Sequence, residues 1–128
     1  MAHLIATFGK ESQETIYSII KSGMFDKIYI VCDELNASHY IKPHLKDDVK
    51  IVLLKLDYSK PSEELVPELY VMLKKHFLED KIQDLDIAVN IASGTGKEHS
   101  VIISTLMKLG YGIRLVDLDK DGNILEMI

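Results

Sequence analysis

The sequence predicts an α/β fold, a mainly parallel sheet of about six strands with helices on both faces and an antiparallel hairpin at the C-terminal edge. Three observations predict it. Short apolar runs alternate along the chain with segments of helical period. The runs are continuously apolar rather than alternating, as strands covered on both faces require. Asp121-Gly122, lying between two such runs, is a hairpin signal.

Leu4 to Phe8 reads as a short buried strand that stops at Gly9. Ser12 then stands where it can cap a helix whose Ile16, Ile19 and Ile20 share one face. Lys27 to Cys32 is the second strand, and Leu35 to Leu45 is at best weakly helical because Pro43 interrupts it. Val49 to Leu56, ending at Asp57, is the third strand. Glu64 to Leu78 has the helical period, with Leu65, Leu69, Met72, Leu73 and Phe77 inward, and Pro67 is expected to confine regular hydrogen bonding to the residues after it. Asp86 to Ala92 is the fourth strand. A glycine-containing loop follows, then a helix lined by Val101, Ile102, Leu106 and Leu109 and ended by Gly110. Ile113 to Leu118 is the fifth strand, and beyond the Asp121-Gly122 turn Ile124 to Ile128 returns antiparallel as the sixth.

This alternation is Rossmann-like, and a single domain over 1–128 accounts for it. A chain of 128 residues can bury one proper core. There is no repeat or low-complexity tract, and Lys46-Asp47-Asp48 is a charge-rich connector rather than a boundary. No stretch approaches the roughly 20 apolar residues of a membrane helix, and no secretory signal opens the chain, so a cytoplasmic location is expected. Cys32 is read as a buried, inert thiol. A formal net charge of −5 argues against direct binding of duplex nucleic acid, which requires a basic face. A small anion held by a few local donors remains compatible with that charge.

In such a sheet ligands sit beyond the carboxyl ends of the strands, where the winding order reverses. With the strand order 3-2-1-4-5 the first and fourth strands meet there, so Gly9-Lys10-Glu11-Ser12 and Ser93 to Ser100 face one crevice. Gly94 and Gly96 let backbone N–H groups approach a ligand closely, and the next helix adds partial positive charge at its start. Lys97 adds a full charge, Ser93, Thr95 and Ser100 add hydroxyls, and Asn90 braces the turn. A plain strand-to-helix turn would also account for Gly94-Thr95-Gly96. A P-loop would need glycine where Ile91 stands and serine or threonine where Glu98 stands. A dinucleotide fingerprint would follow the first strand and need a glycine where His99 stands. A phosphoacceptor receiver could use Asp57, but Phe8-Gly9 replaces its acidic pair.

The run Asn90-Ile91-Ala92-Ser93-Gly94-Thr95-Gly96-Lys97, with Thr7-Phe8-Gly9-Lys10 in the first loop, resembles the signature of the CARF domains (CRISPR-associated Rossmann fold). These sense cyclic oligoadenylates in type III CRISPR defence. One extra small residue shifts the usual Gly-Gly-Thr-Lys spacing, leaving open which of Thr95, Gly96 and Lys97 meets the ligand. The resemblance implies a homodimer that binds a cyclic oligoadenylate, usually the four-membered ring, across its groove. The ligand-binding residues it implies are Gly9, Lys10, Ser12, Asn90, Ser93, Gly94, Thr95, Gly96, Lys97 and His99. A stand-alone domain could be a metal-independent ring nuclease, in which a ribose 2′-hydroxyl attacks the adjacent phosphate to leave a 2′,3′-cyclic phosphate. Ser12 and Lys97 would then be the catalytic residues, with His99 either a proton donor or, more simply, a solvated residue of the first helical turn. A non-catalytic sponge and the sensor half of a CARF and winged-helix regulator are the alternatives, followed by an adenine-nucleotide binder of universal-stress type. No cofactor is implied. No metal site is expected, since His3, His39, His44 and His76 lack ligand spacing. Lys10 and Glu11 could equally form an exposed ion pair, Arg114 could pair with an acidic group such as Asp117 or Asp119, and Tyr111 is expected to pack rather than stack on a base.

Overall fold

The computed structural model describes residues 2–43 and 48–127. In chain order the elements are β1 (Ala2–Thr7), a 3-10 turn (Lys10–Ser12), α1 (Gln13–Lys21), β2 (Phe25–Cys32), α2 (Glu34–Ser38), β3 (Lys50–Lys55), α3 (Ser62–Glu79), β4 (Asp86–Asn90), α4 (Gly96–Leu109), β5 (Gly112–Leu118) and β6 (Ile124–Glu126). The sheet order is β3-β2-β1-β4-β5-β6. All neighbours are parallel except β5 and β6, which are antiparallel.

Successive strand residues point to opposite faces, so each apolar strand supplies two cores. Ile5, Val31, Ile87 and Val89 join Leu65, Leu69, Leu73 and Phe77 of α3 and Val101, Ile102 and Leu106 of α4. On the other face Leu4, Ala6, Ile28, Ile30 and Ala88 meet Ile16, Ile19 and Ile20 of α1, with Ala37 and Tyr40 at the margin. Cys32 is 2% exposed in this second core, and burial pushes its thiol pKa up to about 12. Tyr111 packs edge-on against Phe77 at 5.2 Å between ring centroids. Among the described residues no helix is long and apolar enough to cross a membrane.

Four local expectations are corrected. Helix α3 starts two residues before Glu64 and runs through Pro67. Proline can be tolerated there because Pro67 and Glu63, whose carbonyl lacks its usual N–H partner, are both exposed and water can serve that oxygen. Strand β4 ends at Asn90, not Ala92, because the Asn90 side chain takes over: its Nδ2 donates to the Val116 carbonyl at 2.8 Å, and its Oδ1 accepts from the Ala92 N–H at 3.3 Å. Arg114 pairs across the sheet with Asp86 at 3.0 Å and Glu126 at 3.8 Å, since its side chain projects toward β4 and β6 rather than along its own strand. Helical structure after β2 begins at Glu34, where the Asp33 carboxylate accepts from the Asn36 N–H at 2.8 Å, and ends at Ser38. His44, Leu45, most of Lys46-Asp47-Asp48 and the end of the sixth strand at Ile128 lie outside the described residues.

The hairpin forms as expected. Gly122 adopts φ +81°, and the Asp119 carboxylate accepts from the N–H groups of Asp121 and Asn123, both at 2.9 Å. At the opposite corner Asp80, just after α3, gathers three partners. Its carboxylate accepts from Tyr29 Oη and Lys50 Nζ, each at 2.6 Å, and its carbonyl accepts from Lys27 Nζ. These contacts pin the end of α3 to the N-terminal ends of β2 and β3.

Candidate functional site

The carboxyl ends of β1 and β4 are adjacent, as Ala6 pairs with Asn90. Thr7, the last residue of β1, is 1% exposed and its Oγ1 donates to the Ser93 carbonyl at 2.7 Å. From the first turn of α4, His99 Nε2 reaches the same carbonyl at 2.7 Å. A carbonyl can only accept, so the proton of this contact is on Nε2. Ser12 Oγ lies 3.4 Å from the next carbonyl upstream, that of Ala92. Side chains from β1, the first loop and α4 thus converge on two consecutive carbonyls of the β4–α4 loop.

Ser12 occupies the position before α1, but its side chain makes no capping bond, which corrects that expectation. Thr95 is the capping residue instead, in a different helix. Its side chain accepts from the Glu98 N–H while the Glu98 carboxylate accepts from the Thr95 N–H, forming a capping box at the start of α4. Gly94 adopts φ +91°, the left-handed region, and a Cβ there would collide with the Glu98 carboxylate. Burial raises the Glu98 pKa, and the nearby charges of Asp33 and Glu11 raise it further against the lowering effects of the Thr95 N–H and His99.

Lys97 does not face the crevice. Its Nζ donates to the carbonyls of Tyr58 at 2.8 Å and Lys60 at 2.6 Å, tying α4 to the loop after β3. Asn90, 1% exposed, is consumed by the two main-chain contacts that end β4. Gly9 is buried at the start of the first loop, while Lys10 is exposed and forms no ion pair with Glu11 among the described residues. Ser93 is 1% exposed and its Oγ has no hydrogen-bond partner. The structure therefore brings Gly9, Ser12, Ser93, Gly94, Thr95, Gly96 and His99 to one end of the sheet, with Asn90 beneath them and Lys97 turned aside.

Three residues of this end make contacts that the sequence did not assign to them, although Thr7 stands in the first-loop run and Glu98 in the run from Ser93 to Ser100. Thr7 was visible as the one hydroxyl at the end of an apolar strand, and Glu98 through the Thr95-x-x-Glu98 spacing of a capping box. Tyr58, whose carbonyl holds Lys97, carried no signal. A cleft of about 390 Å³ opens beside this end over β2 and β3, but Asp33, Glu34, Asp57 and Glu68 surround its one lysine, Lys55, so its charge does not suit phosphate.

No family model matches the chain, and no curated protein sequence does. Among solved structures, the chain is similar to Enterococcus italicus Csm6 bound to cyclic hexa-2′-fluoro-hexa-dAMP, with a TM-score of 0.60 and 12% sequence identity over 94% of this chain. The chain spans about a third of that protein, 34% of its length, and at this identity the likeness is one of fold.

Proposed function

We propose that the chain binds a cyclic oligoadenylate at the β1–β4 crevice, as a CARF-type sensor domain acting in type III CRISPR signalling in the cytoplasm. The observation that carries the reading is the β4–α4 loop, where Thr7, Ser12 and His99 engage the consecutive carbonyls of Ala92 and Ser93 at the reversal point of the sheet. Such an arrangement leaves backbone N–H groups and a helix start for an anion. The fold likeness to a Csm6 that holds a cyclic oligonucleotide supports the same ligand class. Two copies related by a two-fold axis would give a ring matching donors from each side.

Binding without cleavage is the form of this reading we favour. Ser12 Oγ faces the Ala92 carbonyl and Lys97 Nζ faces two others. Either side chain would have to leave those contacts before acting on a ribose or a phosphate.

The test incubates the protein with labelled cyclic tri-, tetra- and hexa-adenylate in EDTA and resolves bound from cleaved species. The expected result is a retained, intact ring, with the four-membered ring bound most tightly. Failure of all three rings to bind would overturn the reading. Metal-independent cleavage would restore Ser12 and Lys97 as catalytic candidates, and Ser12→Ala would then lower single-turnover cleavage far more than binding.

A further inference from the structure

We propose that Thr7 and His99 are positioning residues that fix the Ser93–Gly94 peptide so that its N–H faces outward as a hydrogen-bond donor to an anionic oxygen. The inference deepens the function proposed above and rests on it for the identity of the ligand. Thr7 Oγ1 and His99 Nε2 both reach the Ser93 carbonyl at 2.7 Å, from residues 86 positions away and 6 positions away in the chain. Two donors fill both lone pairs of that oxygen and hold it toward β1 and α4. The peptide bond is planar and the chain contains no cis peptide among the described residues, so the Gly94 N–H points opposite to the Ser93 carbonyl.

The fold gives this N–H no protein acceptor among the described residues. Gly94 is itself exposed, and the space a side chain would take there is filled by the Glu98 carboxylate rather than by a Cβ. A second observation comes from the neighbouring residue. Ser93 Oγ is buried without a partner, a condition native structures avoid unless a ligand or water completes it. His99 acts in this arrangement through the peptide and not on the ligand.

The experiment compares the parent with Thr7→Val/His99→Leu, which removes both donors while keeping apolar bulk, and with His99→Gln, which keeps an N–H donor. Circular dichroism and urea denaturation confirm folding of each, and labelled cyclic tetra-adenylate reads affinity. Losing an oriented donor to a charged ligand should weaken binding by roughly tenfold or more in the double variant. His99→Gln should stay near the parent. Equal affinities in the parent and a folded double variant would overturn the positioning role, as would a His99 ring whose nitrogen chemical shifts place its proton on Nδ1. If no ring binds the parent, the functional reading fails by itself, and inorganic phosphate decides the inference. A saturable shift of the Gly94 amide in the parent that is lost in the double variant supports it, and no shift, or the same shift in both, overturns it.

Discussion

The N-terminal end of the parallel sheet and the β1–β4 corner of its C-terminal end use their polar side chains differently. At the N-terminal end, charged side chains meet each other. Lys50 pairs with Asp80, His3 Nδ1 lies 2.6 Å from Asp84, and Arg114 bridges Asp86 and Glu126. At the C-terminal end, polar side chains meet main-chain carbonyls, as Thr7, His99, Ser12 and Lys97 all do. An ion pair satisfies both partners and closes a surface. A side chain that donates to a carbonyl fixes a peptide plane and leaves the neighbouring N–H facing elsewhere. In the function proposed above, the difference separates a structural seal from a binding surface.

Substituting Asp80 should give the largest effect on stability and none on ligand binding. Asp80→Ala removes the acceptor of both Tyr29 and Lys50 and should cost about 2 kcal/mol in urea denaturation, while ring affinity stays at the parent value. The same carboxylate predicts acid sensitivity. Burial alone would raise its pKa, but the hydrogen bonds from Lys50 and Tyr29 and the charges of Lys50 and Lys27 outweigh that and hold it below the ordinary carboxylate value. Its folded value lies under its unfolded one, so its contribution is complete above about pH 4 and is lost as pH falls through the folded value. Asp80→Ala should flatten that part of the acid unfolding curve.

Gly94→Val reverses the pattern. A β-branched residue at φ +91° should cost at least about 1 kcal/mol of stability. Its main consequence should be loss of ring binding at every salt concentration, because the side chain covers the amide. A Gly94→Val protein that folds and binds like the parent would break the contrast between the two ends.

Lys97→Ala should have a smaller effect. Because Nζ already serves two carbonyls, the loss of affinity should stay within about fivefold and shrink as salt rises. A far larger loss at low salt would show that Lys97 leaves the Tyr58 and Lys60 carbonyls to meet phosphate. The smallest effect is expected at Glu98, whose carboxylate lies beside the amides that a phosphate would use. Glu98→Gln should tighten ring binding by about two- to fivefold, since it removes a like charge near the helix start. Its raised pKa also gives a sign. The folded value lies above the unfolded one, so stability declines as pH rises from the ordinary carboxylate value to the raised value, and Glu98→Gln should remove that decline.

The strands and the terminal hairpin were legible because continuous apolar runs and Asp121-Gly122 are local signals, while the strand order followed from the fold class those runs imply. Helix α3 was legible in period but not in extent, since the tolerance of Pro67 depends on water reaching the Glu63 carbonyl. The site was legible in outline through Gly94 and Gly96. The partners of its side chains were not. Lys97 looks like a phosphate ligand in sequence, and only the loop after β3 reveals the carbonyls that hold it. His99 and Thr7 share a carbonyl across 92 positions of chain, a coincidence that no spacing rule expresses.

The most direct test of the central claim is an amide chemical-shift titration with intact cyclic tetra-adenylate, followed by stoichiometry from calorimetry. The account predicts one ring per two chains, large shifts at Gly9, Ser12, Ser93, Gly94 and Gly96, and none at Lys27, Lys50 and Asp80. Shifts confined to the Asp80 end, or saturation with the Gly94 and Gly96 amides unmoved, would contradict it.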